Sequence, residues 1–233
     1  GLSLEFVEAS NLRINDGTTD RTNAIAVMSG GPPIEGAEDI VGGSVVGSSD
    51  GEVILFVGIP EGRILRQFDA VSHPELFQRC GAVTSPPSTL QPFDGSSGIY
   101  FGTQRACLLF VDTHSTNPLE WTLSIIDQMS SPGMIHFAPT IIRTAAGGNR
   151  IVYTQGHPES ELNPARVQML VSLTHRIQVV DATDTTGTTF QFSDVDLTAR
   201  QAYVDFELAF EPGEFVTFEP VVDQFRLIFG TWT

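Results

Sequence analysis

The chain contains no lysine. Its twelve basic residues are all arginine, and set against 28 acidic residues they leave a formal net charge of −16. Binding to phosphate backbones relies on clustered Lys and Arg, so nucleic acid and anionic membrane surfaces are not expected partners. An arginine-only complement has an ordinary origin in a GC-rich genome. It also has a physical use, because the guanidinium fork holds a fixed geometry on a carboxylate that an ammonium does not.

Other shortages narrow the field further. No apolar run approaches the roughly 20 residues of a membrane-spanning helix, so membrane insertion is not expected. The first residues lack a basic region followed by an apolar stretch, so no secretory leader is expected within the sequence, and one already removed would leave the same start. Cysteine occurs twice, at Cys80 and Cys107. One bridge and two buried thiols both fit that pair, which leaves the redox compartment open. The aromatic set is 16 Phe against 2 Trp and 3 Tyr. Rings with a polar handle dominate sugar-reading and paratope surfaces, and this chain has few of them.

Catalytic signatures are scarce as well. There is no H-E-x-x-H and no G-x-x-x-x-G-K; "GSSDG" at 47 to 51 has the bare G-x-S-x-G spacing in a run of small residues, and "DGSSG" at 94 to 98 is a turn of small residues. Neither cysteine belongs to a C-x-x-C pair, which excludes a zinc knuckle. His73, His114, His136, His157 and His175 are scattered singly. His175 interrupts an apolar parity and is expected to be a hydrogen-bonded core histidine. No catalytic and no cofactor-binding residue is therefore expected, and the chain is not expected to be an enzyme. Distant residues can converge in space, so an unrecognised hydrolase stays as a third reading.

What is present is two-residue alternation. In "VQMLVSLTHRIQVV", Val167, Met169, Val171, Leu173, Ile177 and Val179 share one parity, and Gln168, Ser172, Thr174, Arg176 and Gln178 the other. That spacing predicts one long half-buried strand over 167 to 179. "AYVDFELAF" repeats it, with Val204, Phe206, Leu208 and Phe210 inward and Asp205 and Glu207 outward. "EFVTFEP" and "DQFRLIFGTW" follow after short breaks, so the last third reads as an antiparallel meander with one wet face. "EVILFVGI" and "GRILRQFDAV" predict a hairpin turning at Pro60, Glu61 and Gly62, and "HPELFQR" at 73 to 79 closes as one helical turn. "RACLLFVDT", "EWTLSIID", "GMIHFAPTIIRTA" and "NRIVYTQG" read as further strands. The expected class is all-β, an antiparallel β-sandwich or jelly-roll-like fold with little helix. One domain over 1–233 is expected, with "TSPPSTLQPFDGSSG" at 84 to 98 as the place where a division into 1–90 and 99–233 would fall.

The acidic residues offer one candidate metal site. "DATD" sets Asp181 three before Asp184, and "SDVD" sets Asp194 two before Asp196. Loop carboxylates so spaced can share a calcium ion, which takes several oxygen ligands at once; they can equally be turn formers that bond their own backbone. Paired carboxylates also serve glycoside hydrolysis, for which the aromatic platforms are scarce here.

The opening stretch supplies a resemblance. In "LEFVEASNLRINDGTTDR" at 4 to 21, Asn15, Asp16 and Gly17 provide the left-handed backbone of a tight turn between two alternating runs. "SNLRINDGTTDR" resembles tail and other virion proteins of tailed bacteriophages, where a short strand and an N-D-G turn open the chain. The likeness is confined to roughly the first twenty residues and transfers no functional residue. It implies a non-enzymatic virion structural protein of the extracellular particle, a tail or tail-fibre component. Its expected partners are other virion proteins and copies of itself, the copies joined partly by arginine–carboxylate pairs in a ring or trimer. A capsid decoration protein is the near alternative. A carbohydrate- or receptor-binding module, reading a host surface glycan with or without calcium, is the alternative from another class.

Overall fold

β-Branched and aromatic residues at alternate positions, punctuated by Gly and Pro, fold here into antiparallel sheets. The computed structural model describes residues 6–10, 14–15, 20–21, 25–29, 53–58, 64–89, 98–113, 115, 117–129, 133–144, 148–156, 168–181, 189–192, 195–223 and 226–232. Among them the fold is all-β, with one α-helix of seven residues.

The first sheet orders β1 (Phe6–Ser10), β4 (Ile25–Ser29), β5 (Val53–Gly58) and β6 (Ile64–Asp69) side by side, with the short pair β2 (Ile14–Asn15) and β3 (Asp20–Arg21) nested inside the β1–β4 connection. β5 and β6 form the expected hairpin. The second sheet runs β10 (Thr122–Gln128), β9 (Cys107–Asp112), β8 (Gly98–Gly102), β7 (Ser88–Thr89). The third runs β11 (Thr140–Arg143), β12 (Asn149–Gln155), β13 (Met169–His175), β16 (Val204–Ala209). β14 (Ile177–Asp181) pairs with β15 (Thr189–Phe192). At the end of the chain, β17 (Phe215–Val216) pairs with β20 (Thr231–Trp232) around the inner pair β18 (Val221–Asp223) and β19 (Arg226–Ile228).

The helix, α1 (Pro74–Cys80), has the local chemistry of a short stable turn. Proline opens it, Glu75 sits in the first turn and Arg79 in the last, which suits the helix dipole. Gly81, at φ 73°, ends it by taking a left-handed backbone that a side chain resists. Phe77 and Cys80 face inward, and Cys80 is bridged to Cys107 with 5.4 Å between the two Cα atoms. The two cysteines are thus one disulfide, which ties the end of α1 to the start of β9.

The middle sheet explains the rest of the packing. Every residue of β8 and β9 is buried. On one face Ile99, Phe101, Cys107, Leu109 and Val111 pack with Ile54, Phe56 and Phe68 of the first sheet, with Phe77, and with Trp121. On the other, Tyr100, Leu108 and Phe110 pack with Ile151, Tyr153, Val171 and Leu173 of the third sheet. A strand covered on both faces reads as a continuous apolar run, and "ACLLFV" is such a run. The first cluster draws on residues from both sides of 84–98, and the disulfide spans that stretch. A third cluster lies on the far face of the third sheet, where Val152 and Leu170 meet Phe210 and Val216, with Leu227 and Phe229 against them.

Three local expectations need correction. The run over 167–179 is not one strand: β13 stops at His175, β14 starts at Ile177, and the two belong to different sheets. Nor is β13 half-buried, because Leu170 and Ser172, on the parity expected outside, are as buried as Val171 and Leu173. The far face carries the third cluster instead of water. The C-terminal strands do not form a meander. β16 pairs back onto β13, and the later strands nest as one hairpin. The expected alternation of β16 is broken by a register shift that pairs Phe206 with Ser172 but Val204 with Leu173, leaving Asp205 as the extra residue. Val204 packs into the second cluster, whereas Phe206 and Leu208 remain 44% exposed.

Candidate functional site

Of the four aspartates read as a candidate calcium site, the described residues place the side chain of Asp196 alone. Asp196 is exposed and caps a 3-10 helix (Leu197–Ala202), accepting hydrogen bonds from Thr198 N at 2.9 Å and Thr198 Oγ1 at 2.6 Å. Those two bonds hold its carboxyl below the usual range. Asp181 ends β14, but its side chain, together with Asp184 and Asp194, lies outside the described residues. Among the described residues, no group of three or more His, Cys, Asp or Glu is placed to hold a metal ion. His114 and His157 also lie outside them. His175 is a core histidine: its Nδ1 is 3.1 Å from the Tyr100 hydroxyl and its ring meets Phe110 edge-on. Asn149 Nδ2 donates to the same hydroxyl at 3.0 Å.

The densest charge cluster is one that motif reading did not single out. A bulge in β10 between Ile125 and Asp127 turns both Ile126 and Asp127 inward. The Asp127 carboxylate is fully buried and accepts from Arg200 Nε at 2.6 Å and Arg200 Nη2 at 2.9 Å. Tyr153 donates to it at 2.5 Å, Tyr203 at 3.3 Å and the Gln128 amide at 2.9 Å. Arg200 also pairs with Glu207 of β16. Burial and the neighbouring Asp127 charge push the Tyr153 and Tyr203 phenols up. Burial works against the Arg200 charge, but the bonds and charge of Asp127 outweigh it and raise its pKa. Both carboxylate oxygens are occupied, so this cluster staples β10, β12 and β16 to the 3-10 helix between them. The sequence signal was a lone acid in the apolar run "LSIIDQM".

A Ser–His–Asp grouping at the β6–α1 turn has the wrong order for a nucleophile relay. Ser72 Oγ lies 2.7 Å from Asp69 Oδ1 and 2.9 Å from His73 Nδ1, so the hydroxyl stands between carboxylate and imidazole. In a relay the imidazole stands in the middle. Asp69 also accepts from the Val71 and Ser72 amides, which makes it a turn former. Burial opposes its charge, yet the hydrogen bonds from Ser72, Gln67 and Val71 prevail and lower its pKa. Burial, then the Arg66 charge, pushes the His73 imidazole down. This turn lines a cleft of about 700 Å³ that also touches Arg79, Ser124 and Leu197. A smaller, mostly apolar hollow of about 280 Å³ lies between Phe137, Thr154, Gln168 and Phe215.

The outer surface carries the remaining candidate. Seven large apolar side chains stand exposed among the described residues, and five of them, Phe206, Leu208, Phe218, Val221 and Ile228, fall between 206 and 228. The segment turns Phe210, Val216, Leu227 and Phe229 onto the third cluster and these five outward. Val221 and Ile228 are directly paired across the β18–β19 hairpin. Sequence alternation had assigned Phe206 and Leu208 to the core. No protein family, no curated protein and no solved structure matches this chain.

Proposed function

We propose that the chain is a non-enzymatic structural protein of a virion, a tail or tail-fibre component that assembles with other virion proteins and with copies of itself. The observation that carries this reading is the concentration of exposed Phe, Leu, Val and Ile in one C-terminal segment. Large exposed apolar surface marks contact sites for protein, membrane or ligand, and the occupant taken here is protein. Phe210, Val216, Leu227 and Phe229 anchor that segment on Val152 and Leu170 of the third sheet, and the likeness of the opening residues to phage virion proteins points the same way. The test is location. Antibodies raised against the chain should label purified particles from the cells that encode it, at the tail. Signal confined to the particle-free fraction overturns the reading.

A further inference from the structure

We propose that the open side of β16 docks an extended segment of a neighbouring protein, one that is basic and carries apolar residues at alternate positions. The proposal rests on the assembly reading and names the partner chemistry for one of its surfaces.

The first observation is the edge itself. Among the described residues β16 has a single strand neighbour, β13, and residues 205 to 209 are all exposed. An edge strand presents unpaired N–H and C=O groups at the repeat of an incoming strand, and alternate side chains then read the guest. The second is how its charges are spent. Charged residues on an edge normally repel a guest strand. Here Asp205 is held by Arg150 at 3.0 Å and accepts from Ser172 and Thr174, while Glu207 is paired with Arg200. Both carboxylates are engaged by their own chain, and Phe206 and Leu208 are what the edge offers.

The occupant follows from charge. Just beyond β16 stand Glu211, which is exposed, and Glu214, whose carboxylate accepts from the Glu211 amide at 3.1 Å, and no basic residue follows before Arg226. A second copy would bring the same acids against these, and like charges facing one another oppose association. A lysine- or arginine-bearing strand is drawn to this rim and leaves its apolar residues for Phe206 and Leu208.

Two synthetic peptides of identical composition test this, one alternating arginine with valine and one carrying the same residues in two blocks. Each is titrated against the full chain near physiological salt, with hydrogen exchange read at the amides of 204–209. The alternating peptide should slow exchange there by about tenfold when present at about ten times its dissociation constant, and the block peptide should not. Phe206→Lys with Leu208→Lys should abolish the protection while leaving the melting temperature near that of the parent, since both side chains are exposed. Equal protection by both peptides reduces the effect to charge and overturns the proposal, as does protection elsewhere or none at all. A doubled mass that the two lysine substitutions abolish makes a second copy the occupant and overturns it too. Normal incorporation of the doubly substituted chain into particles sinks the edge proposal and spares the assembly reading. Absence of the parent chain from particles sinks the assembly reading whatever the peptides do.

Discussion

Asp127 accepts hydrogen bonds from two phenols, a guanidinium and a backbone amide inside the protein, so removing the guanidinium leaves a buried carboxylate with neutral donors only. Breaking a buried pair from one side typically costs about 3–5 kcal/mol. Arg200→Met should therefore lower the urea-unfolding free energy by that order, and a loss under about 1 kcal/mol would show that the staple does not hold. The tyrosines give a second residue-scale prediction. Tyr100, Tyr153 and Tyr203 are the only tyrosines of the chain, and burial raises the phenol of each above 10.0 in the fold. A raised folded pKa contributes stability that is intact below the unfolded value and is lost as pH climbs beyond it. Tyrosinate absorbance should thus stay absent at about pH 11, above the ordinary phenol range, and appear together with the loss of near-ultraviolet dichroism. Smooth titration of one or more tyrosines near pH 10 in the native protein would contradict the burial of their hydroxyls.

At the scale of elements, alternation identified the pairing of β5 with β6, and "HPELFQR" identified α1; the turn expected at Pro60, Glu61 and Gly62 lies outside the described residues. What alternation could not reveal was a bulge. One extra residue at Asp205 exchanges the faces of β16, so Phe206 and Leu208 leave the core to which their parity assigned them. The same device turns Asp127 inward, which is why the staple was not legible either. Covered far faces misled in the other direction, as at Leu170 and Ser172. Two substitutions on β13 separate these effects. Val171→Asp puts an unpaired carboxylate into the second cluster and should cost about 3–5 kcal/mol or prevent folding. Thr174→Asp, on the parity expected to face water, removes a hydroxyl that donates to Asp205 and sets a second carboxylate against it. That change should cost about 1–2 kcal/mol, read as a shift in urea midpoint. A neutral Thr174→Asp would mean that Asp205 does not sit beside it.

The disulfide also acts between elements. Cys80 and Cys107 enclose a loop across a separation of 27 residues, and chain-entropy reasoning gives such a crosslink about 3–4 kcal/mol. The paired change Cys80→Ala with Cys107→Ala should lower stability by that order, and a reductant should shift the parent's melt but not the variant's. A parent melt indifferent to reductant would contradict the bridge. From sequence alone the two cysteines could not be paired, because only the approach of α1 to β9 brings them together.

For the whole molecule, the order in which sheets stack was not legible, since alternation marks an apolar face without naming what covers it. The run "ACLLFV" was the visible trace of a sheet covered on both sides. Charge also acts at this scale. The arginine–carboxylate pairs expected between copies are, at Arg150 and Arg200, formed within the chain. A contact between copies made through the exposed apolar side chains works against the repulsion of a −16 charge, which salt screens beyond about 8 Å at physiological strength. The central claim is that the exposed apolar side chains of 206–228 are covered by protein neighbours in a particle. Electron cryomicroscopy of the particle carrying the chain tests it most directly. The account predicts the chain in the tail, with Phe206, Leu208, Val221 and Ile228 buried against adjacent subunits. A map that places the chain in the particle with this segment facing solvent, or that lacks the chain altogether, would contradict it.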